Sequence, residues 1–133
     1  MCNALAPGKR PYHTIIPAMA CRNGDLWLSF GVVGGFMQPQ GHVQVLTNLL
    51  SFGMAYQEAL DAPRWCVNQD GRIGLEPGFP AGLRQALADR GHRLEAEMPP
   101  FSNSFGGAQL IAREDGVLWG ASEPRKDGCA IGW

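Results

Sequence analysis

Charge of either sign is scarce in this sequence, and neither sign dominates. The chain has 11 basic and 12 acidic side chains, a net charge of -1, and 17 % charged residues. There is no basic excess for nucleic acid or an anionic membrane surface, and no apolar run approaches the ~20 residues of a membrane span. Residues 1–10 lack the apolar core of a secretion signal. With 45 % hydrophobic residues, the chain is predicted to be globular, without nucleic acid or membrane as partner.

Patterns that bind metals or form disulfide scaffolds are also missing. Four cysteines stand far apart with no CxxC pair, and three histidines show no HExxH spacing. We therefore expect no metal ion and no cofactor. Apart from the terminal one, the cysteines are expected to be small buried residues. His42 is expected to be a polar residue at a helix start rather than a catalyst. The cysteines are Cys2, Cys21, Cys66 and Cys129.

Glycine and proline, in contrast, are abundant, with 18 and 10 residues. Both interrupt regular structure, so short elements and many turns are predicted. A strand over residues 14–21 and its return over 26–30 are joined by Asn23-Gly24, a strong hairpin signal. The return strand is apolar on both faces and is expected at the centre of a sheet. A deeply buried helix should follow, from about residue 39 or 40 to 52, with Gly53 as its left-handed cap.

The second half of the chain is predicted to alternate short elements. No repeat or linker is visible, so residues 1–133 are expected to form a single domain of the α+β class. The pattern predicts helices near residues 55–61 and 81–90, short strands near 72–76 and 92–98, and a hairpin of 109–113 and 117–121 turned by Glu114-Asp115-Gly116.

The most informative local feature is a strand that runs through Gly34-Gly35 into an apolar helix. Such a turn exposes backbone N–H groups beside the positive end of a helix, where they can hold a phosphate, a carboxylate or a developing oxyanion. The alternative is that the glycines only permit a tight turn. The spacing fits neither GxxxxGK[ST] nor GxGxxG, and no serine lies in GxSxG, so the chain carries no evident nucleophile.

Two further polar segments have both a functional and a structural interpretation. His13-Thr14 offers an imidazole and a hydroxyl at the mouth of the first strand, or is simply an exposed strand entry. The tail from Glu123 is either solvated or folded back, with Arg125 anchoring carboxylates in the body of the protein. Arg64, which follows a proline, is a second candidate for that anchoring role.

Seven short runs occur in an order and spacing that fit one family across nearly the whole chain. The runs are Pro7-Gly8-Lys9-Arg10-Pro11, Thr14-Ile15-Ile16-Pro17, Gly34-Gly35, Ser51-Phe52-Gly53-Met54, Glu58-Ala59 with Asp61-Ala62-Pro63-Arg64, Gly106-Gly107-Ala108-Gln109, and Gly120-Ala121-Ser122-Glu123-Pro124-Arg125. Together they resemble the C-terminal part of the small subunit in the gamma-glutamyltransferase (gamma-glutamyltranspeptidase) family.

The resemblance implies an αββα N-terminal-nucleophile hydrolase sandwich that transfers or hydrolyses gamma-glutamyl amides through an N-terminal Thr. It implies that Gly34 and Gly35 form the oxyanion hole. His13 and Thr14 fall where most members have two serines that bind the substrate alpha-carboxylate. This departure resembles the gamma-glutamyltransferase-like branch, whose members also cleave other amides, including cephalosporin side chains. The family's nucleophilic Thr, and the residues that bind the substrate amino group, have no counterpart in this chain.

Two classes of function remain open. In the first, the chain is the C-terminal portion of a gamma-glutamyltransferase-like enzyme, and alone it is inactive. Its partners are then a gamma-glutamyl or related amide substrate and the missing upstream part of the enzyme. A related possibility is an amidase of the same fold that acts on another acyl group. In the second, the chain is a non-catalytic structural or binding module. Because a half-sandwich leaves sheet edges and an apolar face uncovered, a homo-oligomer is also expected.

Overall fold

Helices and strands are mixed along the chain in the computed structural model, which describes residues 4–100 and 102–132. This confirms the predicted α+β class. Within these residues the strands are β1 (Ala18–Arg22), β2 (Asp25–Val33), β3 (Trp65–Val67), β4 (Ile73–Leu75), β5 (Gly107–Glu114) and β6 (Val117–Ser122). The α-helices are α1 (Met37–Leu50), α2 (Tyr56–Asp61) and α3 (Leu83–Asp89), and short 3-10 turns cover Asn103–Phe105 and Pro124–Lys126.

Four of the strands form one antiparallel sheet in the order β1-β2-β5-β6, and β3 pairs separately with β4. Both predicted hairpins are confirmed, with Asn23-Gly24 between β1 and β2 and Asp115-Gly116 between β5 and β6. All four turn residues have positive φ, between 50° and 91°, as a two-residue hairpin of this kind requires. β2 lies between β1 and β5, which confirms the central position predicted from its apolar sequence.

The main core lies between one face of this sheet and helices α1 and α2. Leu28, Phe30 and Val32 alternate along β2 toward that face, where they join one cluster with Val45 of α1 and Leu60 of α2. Each of these side chains is 6 % exposed or less. Burying a side chain of this size stabilises the fold by about 1.5–3 kcal/mol. The core therefore fixes the end of β2 against the start of α1.

The second face of the sheet carries several exposed apolar side chains, although the C-terminal tail lies against part of it, where a Cβ on Gly120 would be 3.0 Å from the Cβ of Ala130. Met19, Val33, Ile111 and Leu118 are 54 to 73 % exposed. Their positions in the ladder place them on one side, opposite the helices. β1 and β6 are also edge strands, with one side unpaired. Exposed apolar side chains of this kind are typical of a face on which another layer packs.

Helix α1 begins at Met37, before the predicted start, and it is less buried than predicted. Met37 and Val45 face the core, but Val43 and Leu50 are 58 and 61 % exposed. The expectation of a deeply buried helix is therefore wrong for the described residues, because only the sheet-facing side of α1 is covered. Gly53, with φ of 65°, ends the segment in the left-handed conformation that was predicted.

Three element predictions need correction. The first strand begins at Ala18 rather than Thr14, because Pro17 has no N–H to offer a ladder. Residues 92–98 form no strand and contribute only the single bridge from Leu94 to Ile73. β3 was not predicted from the sequence, since its three residues carry no pattern of their own. The predicted helices near 55–61 and 81–90 and the strand near 72–76 are present, with shorter bounds.

The cysteines divide by burial rather than sharing one environment. Cys66 is buried as predicted, and burial raises the pKa of its thiol. Cys21 and Cys129 are exposed, so the expectation of burial is wrong for these two. Cys2 lies outside the described residues. Among residues 4–100 and 102–132, no group of three or more His, Cys, Asp or Glu is arranged to hold a metal ion, and no helix combines the length and apolarity of a membrane span.

Candidate active site

The Gly34-Gly35 turn joins the end of β2 to the start of α1 and holds its peptide groups in a defined orientation. The carbonyl oxygens of Gly34 and Gly35 accept hydrogen bonds from the N–H groups of Met37 and Gln38, each at 3.1 Å. In a trans peptide the N–H points away from the preceding carbonyl. The Gly35 N–H therefore points away from the helix, and both glycines are exposed. Within the described residues, neither glycine N–H donates to a protein acceptor.

The two glycines are required for different reasons. Gly34 has φ of 126°, and a Cβ there would lie 3.0 Å from the Cα of Gly106 and 3.2 Å from the Cβ of Met37. Gly35 has φ of 60°, but a Cβ on it would meet nothing within 4 Å. Gly34 is therefore a packing glycine, whereas Gly35 faces open space beside its free N–H.

A second glycine segment supports this turn from behind. Gly106 has φ of 72°, and a Cβ on it would fall 2.3 Å from the carbonyl oxygen of Val33. The backbones of residues 33–34 and 106 thus pack closer than any side chain permits. Gly106 was not predicted to belong to the site, although the Gly106-Gly107 pair resembles the pair at 34–35 and was a usable signal.

His13 and Thr14 lie on an extended, exposed segment that reaches the same helix start. The side chain of Gln38 makes the connection, because its Nε2 donates to the Thr14 carbonyl at 2.8 Å and its Oε1 accepts from the Ile16 N–H at 3.1 Å. Gln38 is 8 % exposed. The structure therefore links the His13-Thr14 segment to the glycine turn through one buried glutamine, which was not predicted from the sequence.

A buried ion-pair network of two arginines and two glutamates lies behind the site. Arg125 binds Glu76 in a bidentate pair, with Nε–Oε1 and Nη2–Oε2 distances of 2.8 and 2.5 Å, and its Nη1 lies 2.7 Å from Oε1 of Glu123. Arg64 Nη2 lies 2.9 Å from the other Glu123 oxygen. All four side chains are 5 % exposed or less. The tail is therefore folded back onto the protein. This agrees with the sequence interpretation in which Arg125 and Arg64 anchor carboxylates.

The network shifts the pKa values of its members in different directions. Burial acts to raise the pKa of Glu123, but the Ala108 N–H and the Arg125 guanidinium outweigh it and hold that pKa below its ordinary value. Burial likewise opposes the charge on Arg125, yet Glu76 and Glu123 hold its pKa above the ordinary value. For Arg64 burial dominates and lowers the pKa. Glu123 is thus the ionised centre that keeps both arginines in place.

This network connects to the glycine turn through the chain around Phe105. Arg64 Nη1 donates to the carbonyl oxygen of Phe105 at 3.2 Å, and Phe105 is fully buried directly before Gly106. Glu123 accepts from the N–H of Ala108 on the other side of the same segment. The ion pairs therefore fix the segment that packs against Gly34. Neither glutamate was predicted as a partner. Glu76 lies 49 positions from Arg125, but Glu123 lies only two positions from it and was a usable signal.

His42 is the sixth residue of α1 and is buried, rather than lying at the helix start where it was expected. Its Nδ1–H donates to the carbonyl oxygen of Gln38 at 2.5 Å, and its ring lies 5.1 Å from that of Phe30. Its side chain is buried against the sheet rather than presented with His13 and Thr14 at the exposed end of the site. The structure thus gives His42 a structural contact to the backbone of α1.

Comparison with known proteins identifies the family. The family model described as gamma-glutamyltranspeptidase matches residues 1–133. A glutathione hydrolase-like proenzyme from Bacillus subtilis is 36 % identical over 137 residues, covering 98 % of this chain and 26 % of the relative. An oxamate amidohydrolase proenzyme from Klebsiella pneumoniae subsp. pneumoniae is 35 % identical over 136 residues, with the same coverage of 98 and 26 %.

A solved structure supports the same conclusion at the level of the fold. The crystal structure of a cephalosporin acylase from Bacillus halodurans has a TM-score of 0.84 and 48 % identity, covering 98 % of this chain and 24 % of the acylase chain. The predicted architecture, one part of an αββα N-terminal-nucleophile hydrolase sandwich, is confirmed by this likeness. The chain spans about a quarter of the length of these relatives. It belongs to the gamma-glutamyltranspeptidase family.

Proposed function

We propose that this chain supplies the oxyanion hole and part of the acyl-recognition pocket of an enzyme that cleaves amides through an acyl-enzyme. The nucleophile is a threonine in another part of the same enzyme. The substrate is a gamma-glutamyl amide or a related amide, and the acyl group passes to water or to an amine acceptor. This chain alone lacks the attacking group and is inactive.

The Gly34-Gly35 turn is the observation that carries this proposal. Its exposed N–H groups are free of protein acceptors in the described part of the chain, and they stand at the N-terminus of a 14-residue helix. Such donors stabilise the negative oxygen of a tetrahedral intermediate, since they are oriented before the reaction begins and the helix dipole adds positive potential. Both glycines are exposed, and an added Cβ on Gly35 would meet no atom within 4 Å, so a substrate can approach the turn.

His13 and Thr14 are proposed to contact the acyl group. Thr14 retains a hydroxyl donor for a carboxylate, and His13 places a larger ring where the typical family pattern has a second serine. The named activities of the relatives differ in acyl group, from glutathione hydrolase-like to oxamate amidohydrolase and cephalosporin acylase. Amide cleavage is common to them. We therefore propose amide hydrolysis as the reaction class and His13 as one determinant of the acyl group.

The upstream part of the enzyme is proposed to cover the open sheet face. That face carries a groove of about 350 Å³ between the Ile15–Pro17 segment and strands β2 and β5, and Gln38 is one of its lining residues. A mostly apolar groove of this kind is suited to a second layer of the same enzyme. A second copy of the chain is the alternative occupant that the expected homo-oligomer requires.

The first test is to read the coding sequence before residue 1 and to assay the complete protein, meaning this chain with that upstream segment. A frame that carries an N-terminal-nucleophile Thr junction supports the enzyme, whereas a start codon with nothing before it supports a non-catalytic module. The complete protein is then offered a gamma-glutamyl anilide, oxamate and an acylated cephalosporin. Turnover of at least one amide is expected. Turnover of none, by protein that is folded and processed, would refute the proposed function.

A further inference from the structure

Three glutamines of α1 each bridge two backbone groups of an extended segment. Gln40 Nε2 donates to the Val67 carbonyl at 3.2 Å while its Oε1 accepts from the Val67 N–H at 2.7 Å. Gln44 does the same with Trp65, at 2.9 Å in both directions. Each primary amide thus offers one donor and one acceptor, as the edge of a neighbouring strand would. Gln38 repeats this arrangement on the segment that contains Thr14 and Ile16.

Gln38 differs from the other two in what it joins. Its backbone N–H donates to Gly35, and its carbonyl accepts from the buried His42 ring. Both its main chain and its side chain are therefore fixed, the first to the glycine turn and the second to the segment of Thr14. In contrast, the side chains of Gln40 and Gln44 bridge to β3, which carries neither the glycine turn nor His13-Thr14. Their other hydrogen bonds, to the carbonyls of Phe36 and Gln40, stay within α1 and its N-cap.

Within the described residues, the His13–Pro17 segment has no other hydrogen bond to its backbone. The ladder between β1 and β2 begins at Ala18, opposite Phe30, and Pro17 has no N–H to extend it. The two bonds to Gln38 are therefore the hydrogen bonds that fix this segment beside α1. Since Gln38 is 8 % exposed, water competes poorly for them.

We propose that Gln38 is a positioning residue that sets the distance between the oxyanion turn and the acyl-recognition segment. This inference rests on the proposed function. A substrate acyl group must reach His13-Thr14 with one end while its carbonyl oxygen meets the Gly35 N–H with the other. A displacement of about 1 Å in such an arrangement costs up to about a hundredfold in activity. Gln38 acts through these groups and does not itself touch the reacting atoms.

The test compares Gln38→Met with Gln40→Met in the complete protein. Methionine matches glutamine in length but can neither donate to nor accept from these backbone groups in the same way, so each variant loses one bridge from the same helix. We expect Gln38→Met to raise KM for the amide substrate about tenfold or more, because two hydrogen bonds that hold the segment are lost. Gln40→Met should leave KM within about twofold of wild type, since its bridge lies on β3.

Hydrogen exchange supplies a readout that does not depend on activity. The Ile16 amide should exchange at least about tenfold faster in Gln38→Met, and it should be unchanged in Gln40→Met, because only the first variant removes its acceptor. Gln38→Glu is the second variant if Gln38→Met does not fold. It keeps an acceptor for the Ile16 N–H but loses the donor to the Thr14 carbonyl, so KM should again rise while Ile16 stays protected.

The outcomes separate this role from general stabilisation. A destabilised enzyme loses active molecules, which lowers kcat and leaves KM unchanged. That pattern, or equal increases of KM in the Gln38 and Gln40 variants, would overturn the proposal. Rapid exchange of Ile16 with an unchanged KM would overturn it as well, since the segment would then be held without recognising substrate. Absence of amide turnover by the folded wild type would instead refute the proposed function, and the role of Gln38 in recognition with it. Hydrogen exchange would then report only on the two hydrogen bonds between Gln38 and the His13–Pro17 segment.

Discussion

Substitution of Gly35 by valine separates the proposed catalytic role of the turn from its structural role. Gly35 has φ of 60°, a conformation that β-branched residues rarely adopt, and its surroundings leave 4 Å free around a Cβ. Strain rather than a clash is therefore the effect of Gly35→Val, with a cost of about 1–3 kcal/mol. Relief of that strain rotates the peptide and turns the Gly35 N–H away from the position of the oxyanion.

The expected loss is in kcat, because the oxyanion exists only in the transition state and the intermediate. Removal of one oxyanion donor lowers kcat by roughly a hundredfold to a thousandfold, which corresponds to about 2.7–4 kcal/mol of transition-state stabilisation. KM should change little, since the substrate carbonyl in the ground state carries little charge. The assay is steady-state hydrolysis by the complete protein of whichever amide it accepts best.

Gly53→Val is the matched control for this experiment. Gly53 has φ of 65° and, like Gly35, would have no atom within 4 Å of an added Cβ, but it lies at the far end of α1. The two variants should therefore lose similar unfolding free energy, measured by thermal melting, while only Gly35→Val loses kcat. Equal kcat in the two variants would refute the oxyanion assignment. A loss confined to KM would reassign the turn to substrate binding.

Three further predictions concern the ion pairs, the acyl pocket and the open face. Glu123→Gln should destabilise the complete protein by about 3–5 kcal/mol, because two buried arginines lose their shared counter-charge. In the wild type, folding lowers the pKa of Glu123. The ionised carboxylate therefore stabilises the fold above the ordinary glutamate pKa of about 4.3, and this stabilisation is lost as pH falls through the pKa in the folded protein. Thermal melts of Glu123→Gln should lack this part of the loss of stability at acid pH. His13→Ser should lower KM for a gamma-glutamyl anilide by roughly tenfold relative to KM for an amide without an alpha-carboxylate, since a second hydroxyl donor is restored. If the ratio of these two KM values is the same in wild type and variant, His13 is a structural residue. The chain expressed without its upstream part should be a dimer or larger in light scattering, and a clean monomer at micromolar concentration would contradict assembly through the open sheet face.

Elements with local signals could be predicted from the sequence. Asn23-Gly24 and Asp115-Gly116 adopt positive φ at low cost, so the two hairpins follow from a few residues. The glycine pair at 34–35 was also visible, because a strand, two glycines and an apolar helix stand in sequence. Helix α1 starts earlier than predicted because its first turn is fixed by the carbonyls of the glycine turn, with no capping side chain to mark it.

Elements held by distant partners could not be predicted in this way. Strand β3 has only three residues and is flanked by β4 and by the amides of Gln40 and Gln44. The hydrogen bond from Gln38 to Thr14 joins residues 24 positions apart, with β1 and β2 between them in the sequence. The ion-pair network draws on three separate segments, around residues 64, 76 and 123–125, and a lone arginine or glutamate gives no sign of a distant partner. In each case the decisive contact is tertiary, and a single sequence read locally does not contain it.

The most direct measurement locates the acyl group on the enzyme. The complete protein is mixed with its best amide substrate, quenched within one turnover and examined by intact-mass and peptide mass spectrometry; the chain without its upstream part is treated in the same way. We expect the acyl adduct on a threonine outside residues 1–133, and neither adduct nor turnover with the isolated chain. Two results would contradict the proposal that this chain supplies an oxyanion hole to a nucleophile elsewhere in the enzyme. The first is an acyl adduct on a Ser, Thr or Cys of this chain. The second is turnover by the chain alone that is abolished when one of those residues is substituted.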